Sequence, residues 1–375
     1  MSTFKLSGEK KIRADYRDYK RLMNIKCPLD CYLGYGHCSS QIIKALHNKG
    51  IPLSLHPIGQ PRLTTNDGAL FTDLINKRYD TFDVNQLSLT IFHEFAFFEA
   101  LQSKKEVVGF PFFELDEMDL IRRQSLSCLD RLFVASKWAQ DIVSSYYKGP
   151  IHVIPLGVDN TIFYPNKIEN NSPYKFFTIG KIEKRKCTHL LPRIFSAAFN
   201  LSDNVELHVM CDSPLPQIKQ QMPYYRDLFT KAPLGAKTFI HELKATDEDL
   251  ANFIRSMDCG IFMTRAEGWG LPILQSLACG KPIIVTDYSA QTEFCNATNA
   301  NLVHITEKEI ADDGIWFHGG GAWASIGEPQ LQQCVTYMKE LYQKNIRTNA
   351  EGVLTGQKFS WENCADKIIG ALGRP

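Results

Sequence analysis

The sequence predicts an α/β protein of two domains, each a parallel sheet covered by helices. Three observations carry this. At 375 residues the chain is long enough for two domains of ordinary size. Short apolar runs suited to buried strands alternate with stretches of helical spacing along most of its length. Between residues 155 and 172, Pro, Gly and Asn crowd together as they do in a linker.

The stretch 259–294 organises the rest. Residues 259–263 read as a buried strand and 264–270 as a polar, glycine-bearing loop. Pro272 suits the first position of a helix, where its missing N–H costs nothing, and Gly280 supplies the stop. Residues 282–286 form the next strand. Such a βαβ unit binds ligands at the strand's carboxyl end, and the helix N-terminus is an anion site. Glu267 in the loop would repel a bare phosphate. It suits a ligand with hydroxyls beside its phosphates, as in a nucleotide sugar.

In the first half, 29–33 reads as a strand running into a glycine-rich loop, 34–40, with Gly34 and Gly36, and then a helix that Gly50 ends. Residues 51–55 form the second strand. The loop lacks the full G-x-G-x-x-G and no acidic residue ends the second strand, which argues against a dinucleotide dehydrogenase. The strand 87–92 ends at His93-Glu94, a position that places His93 for ligand contact, although a lone histidine is often a satisfied core residue. Further strands are expected at 107–110, 131–134 and 151–154. Glu114 follows the first of these, and Ser136 caps a helix.

The second half opens with a strand at 174–179, followed by a basic loop containing Lys181 and Lys186. Strands at 205–210 and 238–241 and a helix at 247–256 follow. Residues 306–327, with three consecutive glycines, read as a surface loop. Helices at 331–342 and 360–372 close the chain.

Composition narrows the function. The net charge of +1 gives no global electrostatic grip on nucleic acid. Eleven cysteines without CxxC pairs indicate free thiols rather than a disulfide framework or a zinc site. No apolar run reaches membrane-span length and the N-terminus has no signal-peptide core, so a cytoplasmic protein is expected. Residues 1–26 hold eight Lys/Arg and three Asp/Glu, a net +5 that leaves −4 for the remainder. An amphipathic helix is expected over 9–26, with Ile12, Tyr16, Tyr19 and Met23 on one stripe and Arg13, Arg17, Lys20 and Arg21 on another face. That basic face is either merely solvated or a peripheral contact to a polyanion, DNA or an anionic membrane surface.

The run Glu267-Gly268-Trp269-Gly270-Leu271-Pro272, continued through Gly280-Lys281-Pro282, resembles the signature of the retaining glycosyltransferases of the GT-B fold, family 4 or group 1 type. The family pattern places a second Glu eight residues after the first, where this chain has Gln275. Pro155-Leu156-Gly157-Val158-Asp159, with Phe163 and Pro165, matches the family's passage between domains. Lys181 stands at the Arg of its G-R-L motif, Lys186 at the following Lys, and Cys187 at a Gly. The resemblance covers most of 29–372 and is strongest over 176–294.

It implies two Rossmann-like domains facing each other across a cleft: an acceptor-side domain over 1–165, a nucleotide-sugar domain over 173–357, and a helix over 358–375 packing back toward the first. It implies catalytic roles for Glu267, His93 and Lys186. Donor binding falls to Gly34, Gly36, Lys181, Lys186, Gly268, Trp269, Gly270, Leu271 and Gln275. The donor is a UDP- or GDP-linked sugar, with no cofactor and no catalytic metal. The acceptor is the hydroxyl of a glycan or glycolipid. A hydroxymethylated DNA base, as for phage enzymes, is an alternative acceptor. Nucleotide-sugar binding without turnover, which Gln275 motivates, is an alternative of another class.

Overall fold

The structure, a computed structural model, describes residues 22–64, 67–166, 173–212, 215–244 and 246–373. Its frame is two six-stranded parallel sheets. The first contains β1 (Met23–Asp30), β2 (Leu53–Arg62), β3 (Ser88–His93), β4 (Val107–Phe112), β5 (Arg131–Val134) and β6 (Ile151–Val153), in the order β2-β1-β3-β4-β5-β6. The second contains β7 (Tyr174–Ile179), β8 (Val205–Met210), β9 (Thr238–His241), β10 (Cys259–Phe262), β11 (Ile283–Thr286) and β12 (Asn301–Val303), in the order β12-β11-β10-β7-β8-β9. Winding reverses beside β1 in one sheet and between β7 and β10 in the other. Each reversal leaves a crevice beyond the carboxyl ends of the strands, where open α/β sheets bind ligands.

Helices on both faces explain why these strands read as apolar runs rather than alternating ones. Every residue of β10 and β11 is buried. Local signals fix the helix ends. Ser136 and Ser360 accept the N–H groups of Ala139 and Asn363 at 3.1 and 3.2 Å. Thr246 does the same for Asp249, and three acidic residues in that first turn suit the helix dipole. The helix Leu271–Ala278 starts from Gly270 at φ +93, so Pro272 is its second residue rather than its first.

Three expectations are corrected. The first strand runs from Met23 to Asp30, not 29–33. Lys26 breaks the apolar run, and pairing with β2 and β3 decides the boundary. Residues 23–26 of the expected basic helix are therefore strand. The rest of that helix, with Arg13, Arg17, Lys20 and Arg21, lies outside the described residues.

The loop expected at 34–40 is already helix, Gly34–Asn48. Ser39 and Ser40 donate back to the carbonyls of Tyr35 and Gly36 at 2.9 and 3.0 Å. A Cβ on Gly36 would stand 2.6 Å from the Asp30 backbone. That glycine thus permits helix-on-strand packing rather than approach to a ligand.

The surface loop expected at 306–327 is a hairpin of β13 (Lys308–Asp312) and β14 (His318–Ala324). It buries Trp323 completely, in a small core with Leu115, Ala266 and Phe317. A Cβ on Gly321 would meet Leu115 Cβ at 3.2 Å, so glycine lets the hairpin lie close against the first half of the chain. Asp116 there accepts the Lys308 ammonium and the Ala322 N–H, each at 2.7 Å.

The last helix, Trp361–Ala371, packs against Gly34–Asn48, and Asp366 pairs with Lys49 at 2.7 Å. All eleven cysteines are free. No helix among the described residues is long and apolar enough to cross a membrane.

Candidate active site

A cavity of about 220 Å³ opens between the two sheets at their switch points. Gly34, His37 and Gln41 line it from one side, and Ile179, Leu243, Leu271 and Gln275 from the other. Asp247 bridges its wall, accepting the Gln41 amide at 3.2 Å, with His37 Nε2 3.8 Å away. Gln275 belongs to the helix that Gly270 opens, and its side chain is 4 % exposed.

Beyond Ile179 the cleft narrows to a pocket of about 10 Å³ lined by Gly180, Lys186, Thr264 and Glu267. Here charge is concentrated. Glu267 receives Lys186 Nζ on both carboxylate oxygens, at 2.6 and 2.7 Å, and Arg185 Nη1 at 3.3 Å. Its N–H donates to the Ser289 hydroxyl, which fixes the loop. Lys181 pairs with Glu183 at 2.6 Å and remains about a third exposed. Arg185, 4 % exposed, donates to Glu183 at 2.8 Å and to the Ala266 carbonyl. Burial pushes the Lys186 ammonium below its ordinary pKa, although the Glu267 charge opposes that. Burial also works against the Glu183 carboxylate, yet Arg185, Lys181 and Lys186 hold its pKa down at about 2.

The first sheet contributes His93, at the end of β3, and Glu114, just beyond β4. His93 stacks on Tyr35 with centroids 5.2 Å apart. Its Nε2 lies 3.4 Å from Glu114 Oε2, and Glu114 Oε1 lies 3.6 Å from Arg185 Nη2, across the cleft. Glu94, at φ +61, turns to Arg122 Nε at 2.8 Å. The donor atoms of His93, Glu94 and Glu114 lie within 4.8 Å of one another, close enough to ligate a metal ion, but Arg122 and Arg185 already face the two carboxylates.

The predicted residues thus fall into two groups. Gly34, Leu271 and Gln275 line the larger cavity, whereas Lys186 and Glu267 line the small pocket, and Lys181 pairs with Glu183 in the adjoining loop. Gly268 packs over the end of β4, where an added Cβ would stand 3.3 Å from the Phe113 backbone. Gly36 does not line the cavity, for the packing reason given above. The Trp269 ring turns into the core between Phe294 and Phe359 and lines neither cavity. Sequence reasoning passed over Arg185, Glu183 and Glu114. Arg185 sat unremarked between two lysines, and only its burial separates it from a solvated basic loop. Glu114 had no local signal beyond following a strand.

Two Rossmann-like sheets with their switch points on a common cleft define the GT-B fold. Solved structures share it across nearly the whole chain. Sucrose-phosphate synthase from Thermosynechococcus elongatus aligns with a TM-score of 0.68 at 14 % identity, over 95 % of this chain and 98 % of that one. Anabaena HepE in complex with UDP-glucose aligns with a TM-score of 0.65 at 12 % identity, over 94 % and 99 %. Residues 173–315 match the model of the family described as glycosyl transferases group 1, and that stretch contains Glu267–Pro272, on which the resemblance rests.

Among curated proteins, the MMP alpha-(1->4)-mannosyltransferase of Mycolicibacterium hassiacum is 25 % identical over 179 residues, 47 % of this chain and 41 % of that protein. The probable sucrose-phosphate synthase of Thermosipho melanesiensis is 25 % identical over 234 residues, 60 % and 48 %. The chain spans less than half the length of these relatives.

Proposed function

We propose that this chain is a retaining glycosyltransferase that moves a sugar from a nucleoside-diphosphate sugar to an acceptor hydroxyl. The observation that carries the reading is the partly buried Lys186–Glu267 pair at the carboxyl ends of β7 and β10, beside the N-terminus of helix Leu271–Ala278. The nucleotide occupies the larger cavity, with Gln275 toward the ribose. The diphosphate lies at the narrowing, where Lys186, Lys181 and the helix N-terminus stabilise charge on the leaving group. Glu267 accepts sugar hydroxyls. His93 addresses the sugar from the opposite side. The anomeric carbon–oxygen bond to the diphosphate breaks, the acceptor oxygen bonds the same face, and the acceptor proton passes to the departing phosphate oxygen. Positioning and electrostatics carry the rate through an oxocarbenium-like transition state.

The proposal includes no catalytic metal, and it has Lys186 and Lys181 shared between the diphosphate and their partners Glu267 and Glu183. The acceptor class that fits the family relatives is a glycan or glycolipid, since mannosyl transfer and sucrose-phosphate synthesis both name carbohydrate chemistry. UDP-sugars are the first donors to test, because HepE is described with UDP-glucose.

The test is nucleotide release from a panel of UDP- and GDP-sugars, with and without EDTA and carbohydrate acceptors. NMR then reads the anomeric configuration of any product. Release that survives EDTA and a product of retained configuration are expected. Binding of a sugar nucleotide without release under any acceptor would favour the non-catalytic reading that Gln275 motivates.

A further inference from the structure

Glu114 is a buried group to which the proposed chemistry gives no role. Glu114 is 8 % exposed, and its Oε2 has no hydrogen-bond partner among the described residues. An unsatisfied buried carboxylate oxygen is costly unless something complements it. His93 Nε2 lies 3.4 Å from that oxygen, and the other oxygen faces Arg185 of the opposite sheet at 3.6 Å. Glu114 therefore stands between the His93 ring on its own side of the cleft and a fully charged guanidinium on the other.

We propose that Glu114 is a positioning residue for sugar transfer: it holds His93 through Nε2, and its contact with Arg185 ties that hold to closure of the cleft. The inference rests on the glycosyltransferase reading.

The surroundings agree. Tyr35 covers one face of the His93 ring, and Arg122 draws Glu94 aside, which leaves Glu114 as the carboxylate along the ring edge. A carboxylate on Nε2 keeps a proton there, so the imidazole presents only its other nitrogen to the substrate. Burial disfavours the imidazolium, but the Glu114 carboxylate 3.4 Å away and the Glu94 charge outweigh it against Lys181 and raise the His93 pKa above its ordinary value. Arg185, held by Glu183 and Glu267 in the second half, reaches Glu114 only when the sheets stand this close. An open cleft would leave Glu114 without this cation, and the carboxylate would then be free to turn from the ring.

The test reads the full chain labelled at histidine by NMR, alongside UDP release from UDP-glucose and UDP-glucose affinity. The wild-type His93 midpoint should lie above the reference 6.5. In Glu114→Gln that midpoint should fall. UDP release should drop by about tenfold or more, the range of a lost interaction with a charged group, with affinity changed by less than about threefold. Glu114→Asp should recover part of both. His93→Ala combined with Glu114→Gln should be no slower than His93→Ala alone, because the glutamate acts through the ring.

An unmoved His93 midpoint in Glu114→Gln would overturn the proposal, as would losses that multiply in the double variant. If Glu114→Gln does not fold, a wild-type midpoint at or below 6.5, or a Glu114→Asp protein with wild-type midpoint and rate, overturns it instead. Wild-type protein that releases no UDP sinks the glycosyltransferase reading. The His93 titration still decides, separately, whether Glu114 governs the ring.

Discussion

Lys186 Nζ spans both carboxylate oxygens of Glu267, at 2.6 and 2.7 Å, with both residues withdrawn from solvent. This pair joins the loop after β7 to the loop after β10, the two strands that flank the switch point of the second sheet. In the proposed reading, a diphosphate arriving there meets a cation that Glu267 already orients.

Lys186→Ala and Lys181→Ala should each weaken sugar-nucleotide binding and slow turnover. A charge-assisted hydrogen bond is worth roughly 1.5–3 kcal/mol, or about tenfold and more in affinity. Loss of the partly buried Lys186 should also cost stability, because it strands part of the Glu267 charge. Lys181 is more exposed and should not. Calorimetric titration with UDP-glucose and thermal melting separate the two effects. Unchanged affinity in both variants would remove these lysines from the site.

Glu267→Ala should abolish transfer and also lower the melting temperature. A loop position taken alone would tolerate truncation. The buried ion pair argues otherwise, since breaking such a pair by removing one partner costs about 3–5 kcal/mol. Glu183 and Glu114 still face Arg185, which should keep the loss toward the lower end. A variant that melts like the wild type would contradict the buried pairing.

Gln275→Glu should fold and bind donor at least as well as the wild type. The side chain lines the cavity where ribose hydroxyls are proposed, and the resembling family has Glu at this position. Loss of folding would mean that Gln275 is a core residue and that the ribose assignment is wrong.

Acid should destabilise the protein through Glu183. Its folded pKa, about 2, lies below the reference 4.5, so the unfolded chain binds a proton that the folded one does not. The stabilisation is complete above pH 4.5 and is lost as pH falls from 4.5 toward 2. Glu114 is shifted in the same direction: burial opposes its charge, but Arg185 and His93 prevail. Melting temperatures across that window should fall more steeply for the wild type than for Glu183→Gln. Parallel curves would contradict the shift.

Asp116→Ala should loosen the hairpin of β13 and β14. It removes the acceptor of both Lys308 and the Ala322 N–H. Hydrogen exchange across 318–324 should quicken by about tenfold or more, as expected for loss of charge-assisted bonds worth about 1.5–3 kcal/mol. Exchange at the wild-type rate would show that the Trp323 core alone holds the hairpin.

The sequence by itself determined the alternating α/β architecture, because buried parallel strands leave short apolar runs and helix ends leave local marks such as Ser136, Ser360 and Gly270. It also determined the loop Glu267–Pro272, since a glycine-bearing turn into a Pro-started helix is a contiguous feature. Tertiary structure alone decided what lies opposite that loop. The start of β1 depended on pairing with β2 and β3, and the role of Gly36 on its distance from the Asp30 backbone. The 306–327 insertion became a hairpin because Trp323 found a core made partly by Leu115, far away in sequence. Glu114 and Arg185 meet only because two sheets, each folded from its own half of the chain, close on one another. A charge pair separated by 71 positions has no periodicity and no motif. Its significance comes from burial, which raises the cost of every unpaired charge and so makes each partner matter.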